Sequence, residues 1–460
     1  MDIHLDYSNV MEVNVGNEHG LTLDDFKGLV PKGERILESL RKKSEDHSLE
    51  FYNLPFAEKE LNEIENYAKI ARNRFDSYVH LGIGGSALGP IALQTSLSGY
   101  YHNLSSRKPK MFFPDNVDPD WLNELLQHID VTKTLFHVVS KSGSTAETAA
   151  QMLYFVHHMA KKMGENFYKN LLFTTDPVEG LLNRIAREYP IKCFRIPPGV
   201  GGRFSVLTPV GLISAALAGI NIHKILHGAQ EMAKLCNNNN LLENPAFIYA
   251  AIHYLYMRNR KNISVMMAYS NQLRDLADWY RQLWAESLGK RFNTKGEKVE
   301  VGQTPIKALG ATDQHSQVQL YIEGPNDKVI TFLEVEHFKE NSPLKNHFTY
   351  IPEFDYLDGK TLAELLNSEK RATELALTNN QRPNLTIRFS SVNEANIGAF
   401  FFLLEAATAF TGGLLDINAF DQPGVEEGKI ATYALMGRKG YEQKREEIEE
   451  LFARKKLFYL

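Results

Sequence analysis

The feature that most constrains the fold is a regular alternation of short apolar segments with helical ones. In the first part of the chain the predicted strands are residues 78–83, 110–113, 135–140, 171–174 and 193–196. Each is a continuous apolar run, which is typical of strands that are buried on both faces. Strands of this kind, separated by helices, predict a doubly wound α/β domain with a parallel sheet.

A second set of strands follows a polar, turn-rich stretch at residues 236–244, which indicates a crossover between domains. Its predicted strands are residues 263–269, 317–323, 328–335 and 384–389. The sequence therefore predicts two α/β domains. The predicted boundaries are 1–49 for an N-terminal segment that packs on the second domain, 50–240 and 241–435 for the two domains, and 436–460 for a C-terminal helix.

Helical patterns are clearest in four segments. Residues 58–75 place apolar side chains at helical spacing, and the helix predicted from Gln272 to Leu288 is stopped by Gly289. Residues 396–410 are apolar almost all round, which predicts a buried helix. The tail from Tyr441 predicts a helix that is exposed or faces a partner.

Composition excludes several classes of function. The 460 residues carry a net charge of −5 without a long basic run, so no nucleic acid is expected as a partner. Cys193 and Cys236 are the only cysteines and lie outside any CxxC pattern, so neither a disulfide framework nor a zinc site is expected. Two scattered thiols suit a reducing compartment.

The sequence offers no clear targeting or membrane segment. Its first residues, MDIHLDYSNV, lack the apolar core of a signal peptide. The longest apolar stretch, residues 399–410, is interrupted by Glu405 and is too short to cross a bilayer. We expect a cytoplasmic protein that has no membrane partner.

A glycine-rich loop follows the first strand. Gly82, Gly84 and Ala87 fit the dinucleotide fingerprint GxGxxG/A, which favours an NAD-dependent oxidoreductase as one alternative. The acidic residue that should hold the ribose is missing, because the first candidate, Asp115, comes too late. The loop is then either a tight turn or a backbone cradle in which Gly84 and Ser86 approach a small ligand.

A loop rich in hydroxyl groups follows a later strand and begins a helix. Five hydroxyl side chains and Lys141 fall within nine residues; the hydroxyls belong to Ser140, Ser142, Ser144, Thr145 and Thr148. A helix N-terminus presents unpaired N–H groups, which attract phosphate. A simple N-cap would need only one such side chain. We therefore predict a phosphate site here, although it is not a P-loop because GxxxxGK[ST] is absent.

Four further residues suit acid–base chemistry at a carbon next to a carbonyl. Glu286 shares a helix face with Gln282 and lies near the helix end, while Arg203, in a glycine-rich run, carries the type of group that suits a developing oxyanion. His315 titrates in a useful range, and Lys429 follows a glycine. Taken singly, each of these residues is more often an ordinary surface charge or salt-bridge partner.

Taken together, these segments resemble the glucose-6-phosphate isomerase family. The matching motifs, in chain order, are GIGGS at 82–86, SKSGSTAET at 140–148, VGGRFS at 200–205, ESLGK at 286–290, QHS at 314–316 and FDQPGVEEGK at 420–429. The match covers about residues 50–435 and looks like the compact bacterial form. Pro423, Gly143 and Thr312-Asp313 depart from the usual motifs, which concerns loop shape and substrate range.

The resemblance implies two sugar-isomerase (SIS) domains, a homodimer with shared active sites, and no metal or cofactor. It implies reversible aldose–ketose isomerisation of a sugar phosphate by ring opening and proton transfer between C2 and C1. Glu286 would be the base, Arg203 would stabilise the cis-enediol(ate), and His315 of a neighbouring subunit and Lys429 would assist ring opening. The remaining positions would bind phosphate or sugar hydroxyls; they are Ser140, Ser142, Thr145, Thr148, Gln282, Gln422, Gly84 and Ser86.

One alternative within the same fold is a non-catalytic SIS protein that senses sugar phosphates. Such a sensor would keep the hydroxyl loop but would have no need of Glu286, Arg203, His315 and Lys429. Their joint presence in one chain favours the enzyme.

Overall fold

A computed structural model describes residues 1–460, apart from the side chain of Lys59. Over these residues the chain divides into two compact units, Met1–Ala419 and Phe420–Leu460. The strands, all in the first unit, are β1 (Ile3–Asp6), β2 (Ser77–Leu81), β3 (Lys110–Phe112), β4 (Thr134–Val139), β5 (Leu171–Thr175), β6 (Lys192–Arg195), β7 (Ile263–Ala268), β8 (Lys290–Phe292), β9 (Lys298–Val301), β10 (Thr304–Leu309), β11 (Lys328–Val335) and β12 (Asn384–Phe389).

The helices of the first unit are α1 (Glu12–Val15), α2 (Leu23–Glu45), α3 (Lys59–Arg74), α4 (Leu88–Leu97), α5 (Pro119–His128), α6 (Ala146–Met163), α7 (Leu181–Glu188), α8 (Pro209–Leu217), α9 (Ile222–Cys236), α10 (Pro245–Arg258), α11 (Arg274–Leu288), α12 (Val318–Glu323), α13 (Leu362–Asn379) and α14 (Glu394–Leu414). The second unit contains α15 (Glu426–Leu435) and α16 (Glu442–Arg454). The domain boundaries predicted at residues 49, 240 and 435 stay predictions.

The first sheet is parallel throughout, in the order β3-β2-β4-β5-β6. The chain moves outward from β2 to β3, then returns to the other side of β2 to form β4. In open parallel sheets, ligands bind beyond the carboxyl ends of the two strands at such a reversal. The glycine loop follows β2 and the hydroxyl loop follows β4, so the topology places both loops at this point.

The second sheet repeats the arrangement, in the order β1-β12-β11-β7-β10. Its strands β7, β10, β11 and β12 are parallel. The chain moves outward from β7 to β10 and then returns to the other side of β7 to form β11, as it does around β2 in the first sheet. Strand β1 is added at the edge, antiparallel to β12, with Ile3 opposite Phe389. A separate antiparallel pair, β8 and β9, falls between β7 and β10 in the chain.

Both faces of the first sheet are buried, and on one of them a cluster of apolar side chains packs against the surrounding helices. Val79, Phe136, Val138 and Phe173 are all at most 1% exposed in this cluster. Burial of such side chains stabilises the fold by roughly 1.5–3 kcal/mol each. The sheet is thereby a rigid base for the loops at its edge.

Helix starts follow capping rules that the sequence carries. Thr22 and Asp25 form a capping box at the start of α2, and Thr361 and Glu364 form another at α13. Asp118 caps α5 through backbone amides of its first turn. These side chains satisfy amides that a helix leaves unpaired at its N-terminus.

Most predicted elements are confirmed, but the strand predicted at 317–323 is wrong, because Val318–Glu323 is the helix α12. Tyr321 is buried at 1% exposure while Leu320 is 57% exposed, so tertiary packing of one aromatic ring overrides the alternating pattern. The strand found instead, β10, has no counterpart in the prediction. Its Pro305 is tolerated because β10 is an edge strand.

The predicted buried helix at 396–410 is confirmed and is longer than expected. Helix α14 has 21 residues and is long and apolar enough to cross a membrane by length and composition. The prediction that this apolar stretch is too short to cross a bilayer is therefore wrong. Of its most apolar window, 94% is buried inside the protein. Core helices of large domains have the same composition.

Candidate active site

The glycine loop is a short 3-10 turn, Gly84–Ser86, between β2 and α4. Gly84 has a φ of +57°, a conformation that L side chains rarely adopt. A Cβ atom at position 84 would lie 2.9 Å from Nε2 of Gln282. The turn therefore lies directly against α11, the helix that carries Gln282 and Glu286.

The second glycine of the loop permits a close contact between two backbones. A Cβ atom at position 85 would lie 2.3 Å from the carbonyl carbon of Gly202 and 2.6 Å from the backbone nitrogen of Arg203. The hydroxyl of Ser205 is 3.4 Å from the carbonyl oxygen of Gly85. Gly85 thus brings the glycine loop against the segment that positions Arg203. That the loop also approaches a ligand stays a prediction.

Arg203 is almost fully buried, with 2% of its side chain exposed. Its Nε donates to the Ser287 hydroxyl at 2.6 Å, and its Nη2 donates to the carbonyl oxygen of Ala419 at 2.6 Å. Both distances are short, as expected for bonds from a charged donor. These contacts fix the plane of the guanidinium, a requirement for a group that must meet a developing negative charge.

Glu286 lies near the C-terminal end of α11. Its Oε2 is 3.7 Å from Nη1 of Arg203 and accepts a hydrogen bond from Nε2 of Gln282 at 3.2 Å. The distance to the guanidinium exceeds a hydrogen bond, so the two groups are paired by charge without direct hydrogen bonding. The Glu286 side chain keeps 25% of its surface exposed.

A carboxylate at the C-terminal end of a helix meets an unfavourable dipole. Lys290 compensates, because its ammonium donates to the carbonyl oxygens of Glu286 and Ser287 at 2.8 and 2.9 Å. Lys290 is buried, at 7% exposure. Its charge therefore stabilises the helix end that carries the carboxylate.

The hydroxyl loop precedes α6, whose N-cap is Thr145. The Thr145 hydroxyl does not cap the helix; it lies 3.2 Å from the buried hydroxyl of Ser140. Ser142 is exposed and accepts from the amide and the hydroxyl of Ser144 at 3.2 and 3.0 Å. The first turn of α6 thus has no side-chain cap within the described structure, which suits an anion site.

The side chain of Lys141 makes its contacts outside the hydroxyl loop, although its neighbours in the sequence suggest a place among the anion-binding groups. Its ammonium donates to the carbonyl oxygens of Pro198 and Val200 at 2.7 and 2.8 Å. Burial lowers the pKa of this ammonium, and nearby Asp176 partly offsets the effect. Lys141 therefore connects the hydroxyl loop to the segment leading into Arg203, and its part in binding an anion stays a prediction.

Two buried polar atoms near these loops have no hydrogen-bond partner among the described residues. They are Oγ1 of Thr148, in the first turn of α6, and Oε1 of Gln282, beside Glu286. Leaving such an atom unpaired costs about 1–3 kcal/mol. Polar groups kept in this state beside a carboxylate and a helix N-terminus are typical of a site that is completed by a ligand.

His315 lies outside this group in the described structure. It ends a 3-10 turn, Thr312–His315, is exposed, and has no hydrogen bond or ion pair with a described residue. Asp313 holds the turn by accepting from the Leu309 amide at 2.7 Å and from the Ser316 hydroxyl at 2.6 Å. The position of His315 on a surface turn leaves its imidazole accessible.

Gln422 and Lys429 belong to the second unit. Gln422 precedes the 3-10 turn Pro423–Val425, and Lys429 lies in the first turns of α15. The ammonium of Lys429 pairs with Glu426 at 2.8 Å, and its side chain is 50% exposed. The predicted roles of both residues stay predictions.

Sequence reasoning missed three residues that hold this arrangement together: Ser287, Lys290 and the carbonyl of Ala419. Ser287 and Lys290 lie within the ESLGK motif, so their proximity to Glu286 is a usable signal. Ala419 contributes only a backbone oxygen, which no residue type predicts. Among the described residues, no group of three or more His, Cys, Asp or Glu side chains is placed to hold a metal ion.

The fold and the site define a class: a doubly wound α/β protein with two similar sheets, a carboxylate–guanidinium pair and a hydroxyl-rich loop at the start of a helix. A family model described as phosphoglucose isomerase matches residues 64–448. A glucose-6-phosphate isomerase from Carboxydothermus hydrogenoformans is 50% identical over 453 residues, covering 97% of each chain. The chain belongs to the phosphoglucose isomerase family.

Solved structures share the fold. A hypothetical protein from Thermus thermophilus is similar with a TM-score of 0.83 and 35% identity, covering 95% of this chain and 100% of that one. A glucose-6-phosphate isomerase from Chlamydia trachomatis shares the fold with a TM-score of 0.73 and 24% identity, covering 86% of this chain and 77% of that one. The predicted α/β fold with two parallel sheets, flanking helices and a C-terminal helix is confirmed, and β1 adds an antiparallel edge strand to the second sheet.

Proposed function

We propose that this protein interconverts D-glucose 6-phosphate and D-fructose 6-phosphate, a step shared by glycolysis and gluconeogenesis. The observation that carries the proposal is the placement of the Glu286 carboxylate 3.7 Å from the buried Arg203 guanidinium. Isomerisation removes a proton from a carbon next to a carbonyl, so a base and an oxyanion stabiliser must face the same part of the substrate. Membership of the family supports the same activity.

Glu286 is the proposed base, which takes the proton from C2 and returns it at C1. The hydrogen bond from Gln282 to Oε2 limits rotation of the carboxylate. A carboxylate is a weak base at neutral pH, so positioning supplies much of the rate. The cis-enediol(ate) formed between the two transfers carries negative charge on oxygen.

Arg203 is the proposed partner of that oxygen. A guanidinium keeps its charge at every relevant pH and presents planar donors, which suits a charge that appears only during reaction. Because Ser287 and Ala419 hold two of its nitrogens, little reorganisation is needed when the charge develops. This arrangement would favour the transition state over the bound sugar.

The substrate phosphate is proposed to bind at the start of α6. The binding side chains are Ser140, Ser142, Thr145 and Thr148, with the charge of Lys141 nearby. Gly84, Ser86, Gln282 and Gln422 are proposed to contact phosphate or sugar hydroxyls. Anchoring the phosphate away from C1 and C2 contributes binding energy that holds the open chain in a reactive geometry.

Ring opening is proposed to involve His315 and Lys429, as the family resemblance implies. The exposed position of His315 supports delivery to the site of a neighbouring subunit, and we propose a homodimer with shared active sites. Both cysteines are free thiols, which supports a place in a reducing compartment, the cytoplasm. Mixing His315→Ala and Glu286→Gln proteins, each inactive alone, would restore activity if sites are shared.

A coupled assay that converts fructose 6-phosphate to glucose 6-phosphate tests the activity. Purified protein is treated with EDTA, desalted and assayed without added metal or cofactor. Activity that survives chelation supports the acid–base route through Glu286. Absence of activity in both treated and untreated protein would refute the proposed function.

A further inference from the structure

A buried chain of hydrogen bonds crosses the first sheet from the hydroxyl loop to the glycine loop. Its links are Thr174 Oγ1 to His137 Nε2 at 2.6 Å, His137 Nδ1 to Tyr78 Oη at 2.7 Å, Tyr78 Oη to His80 Nδ1 at 2.9 Å, and His80 Nε2 to the carbonyl oxygen of Ser86 at 2.6 Å. All four side chains are at most 1% exposed.

The strand register explains how these side chains meet. His80 on β2 lies directly opposite His137 on β4, and Tyr78 is two residues before His80, so all three share a face. Thr174 shares that face, being two residues after Leu172, the partner of His137. On the opposite face of the same strands, the buried apolar side chains of Val79, Phe136 and Phe173 belong to the core. The four hydrogen-bonded side chains therefore form one continuous row across a single face of the buried sheet.

The donors and acceptors can run in one direction only. The Ser86 carbonyl can only accept, so Nε2 of His80 carries a proton. Burial lowers the pKa of His80 to about 4 and holds that of His137 well below its ordinary value, so both imidazoles are neutral. Nδ1 of His80 then accepts from Tyr78, whose oxygen accepts from Nδ1–H of His137. Nε2 of His137 must accept from the hydroxyl of Thr174.

Both ends of the chain reach the candidate active site. At one end, the carbonyl oxygen of Thr174 accepts the backbone N–H of Ser140 at 3.1 Å, at the start of the hydroxyl loop. At the other end, Ser86 closes the turn whose Gly85 lies against the backbone of Gly202 and Arg203. The chain thus connects the proposed phosphate site with the segment that carries the guanidinium.

We propose that Thr174, His137, Tyr78 and His80 form a positioning relay that fixes the glycine loop relative to the hydroxyl loop. The relay sets the distance between the bound phosphate and the Glu286–Arg203 pair, and none of its members touches the reacting carbons. This inference rests on the function proposed above. It adds four positioning residues that the motifs of the family match do not include.

The test is a matched pair of variants at Thr174, the hydroxyl-loop end of the relay. Thr174→Val removes the hydroxyl donor with little change of shape, whereas Thr174→Ser keeps it. We expect Thr174→Val to lower kcat/KM for fructose 6-phosphate by about tenfold per folded molecule, since small displacements of positioned groups are costly. Thr174→Ser should remain close to the wild type.

A second pair tests the glycine-loop end of the relay. His80→Gln keeps an amide donor for the Ser86 carbonyl, whereas His80→Phe removes it, so kcat/KM should fall further in His80→Phe. Both pairs are compared at a temperature at which circular dichroism shows every variant to be fully folded. Under that condition a purely structural role would lower the melting temperature without changing kcat/KM. Equal kcat/KM in Thr174→Val, Thr174→Ser and the wild type would overturn the relay.

Neutron diffraction of the wild-type protein tests the relay without any variant. Deuterium is expected on Nε2 of His80 and on Nδ1 of His137, and on neither of their other ring nitrogens. Deuterium on Nδ1 of His80 would overturn the assigned direction. A wild-type protein that is inactive while showing these two tautomers would instead refute the proposed function and leave the hydrogen-bond direction standing.

Discussion

The Ser287 hydroxyl accepts from Nε of Arg203 at 2.6 Å, and Ser287 directly follows Glu286 in the chain. One turn at the end of α11 therefore carries the proposed base and the group that orients its cationic partner. Any shift of the helix end moves both together. The alignment of carboxylate and guanidinium thus depends on this helix end, together with the Ala419 carbonyl that holds the other side of the guanidinium.

Removing this hydroxyl should impair catalysis more than stability. Ser287→Ala is expected to lower kcat/KM by about tenfold, because the guanidinium loses a contact that orients it toward the developing charge. The control is Ser214→Ala, which removes a buried hydroxyl bonded to Gly211 within α8. Steady-state kinetics that show equal losses in both variants would contradict an orienting role for Ser287.

Replacing the proposed base should abolish turnover while the fold persists. Glu286→Gln keeps the hydrogen-bonding shape but cannot accept the C2 proton, so we expect kcat to fall by about 10²–10⁴-fold, the usual contribution of general acid–base catalysis. Glu38→Gln, at an exposed position of α2, serves as the control. Binding of fructose 6-phosphate, measured by calorimetry, should survive in both proteins. A near-normal rate in Glu286→Gln would exclude this carboxylate as the base.

A single methyl group in the glycine loop should displace it. Gly85→Ala places a Cβ atom 2.3 Å from the Gly202 carbonyl carbon, and the atoms that it meets are backbone, so one segment must move. We expect a loss of most activity and a lower melting temperature. Gly28→Ala, where nothing lies within 4 Å on helix α2, should instead raise stability by about 0.4–1 kcal/mol. Normal kinetics in Gly85→Ala would show that activity does not depend on the close contact between the glycine loop and the backbone of Gly202.

The unpaired hydroxyl of Thr148 distinguishes a binding role from a structural one. Thr148→Val breaks no hydrogen bond in the described protein, so its melting temperature without ligand should match or exceed that of the wild type. Its KM for fructose 6-phosphate should rise, and stabilisation by the ligand should shrink. Thr134→Val, which loses a bond to the Asp130 carbonyl, should show the reverse: lower stability and normal KM. Identical behaviour of the two variants would argue against Thr148 as a ligand contact.

Acid should destabilise the protein through its buried histidines. Burial lowers the pKa of His80 to about 4, whereas the unfolded value is about 6.5. The unfolded chain binds more protons between these values, so the unfolding free energy falls as the pH drops from about 6.5 to about 4, by about 3 kcal/mol for this residue. His137 acts in the same direction. Urea unfolding at a series of pH values from neutral to mildly acidic should show a shallower loss in His80→Gln. Parallel curves for the two proteins would contradict the effect.

Much of this arrangement follows from the sequence because it depends on residue types in fixed local patterns. The strands around Val79 and Phe136, the helix ending at Gly289 and the hydroxyl loop are of this kind. Gln282 and Glu286 share a helix face, and the structure joins them by a hydrogen bond at 3.2 Å. Local periodicity is sufficient to predict these features.

Other features depend on contacts between distant segments, which no local pattern carries. Gly85 lies against the backbone of Gly202 and Gly84 lies against the side chain of Gln282, and both partners are far along the chain. The sequence groups Lys141 with anion-binding side chains, yet its ammonium meets carbonyls that lead into Arg203. The helix α12 has the pattern of a strand, but burial of Tyr321 decides its conformation. Tertiary packing outweighs intrinsic preference in such cases.

Strand β1 has a consequence for how the molecule is made. Its residues are synthesised well before those of its partner, β12, which ends at Phe389, so synthesis at roughly 5–20 residues per second leaves β1 without its neighbour for roughly 20–80 s. During that interval the four residues of β1 lack the strand with which their backbone amides and carbonyls pair in the finished sheet. The second sheet closes only after β12 has been synthesised, so the speed of translation limits how early this sheet can form.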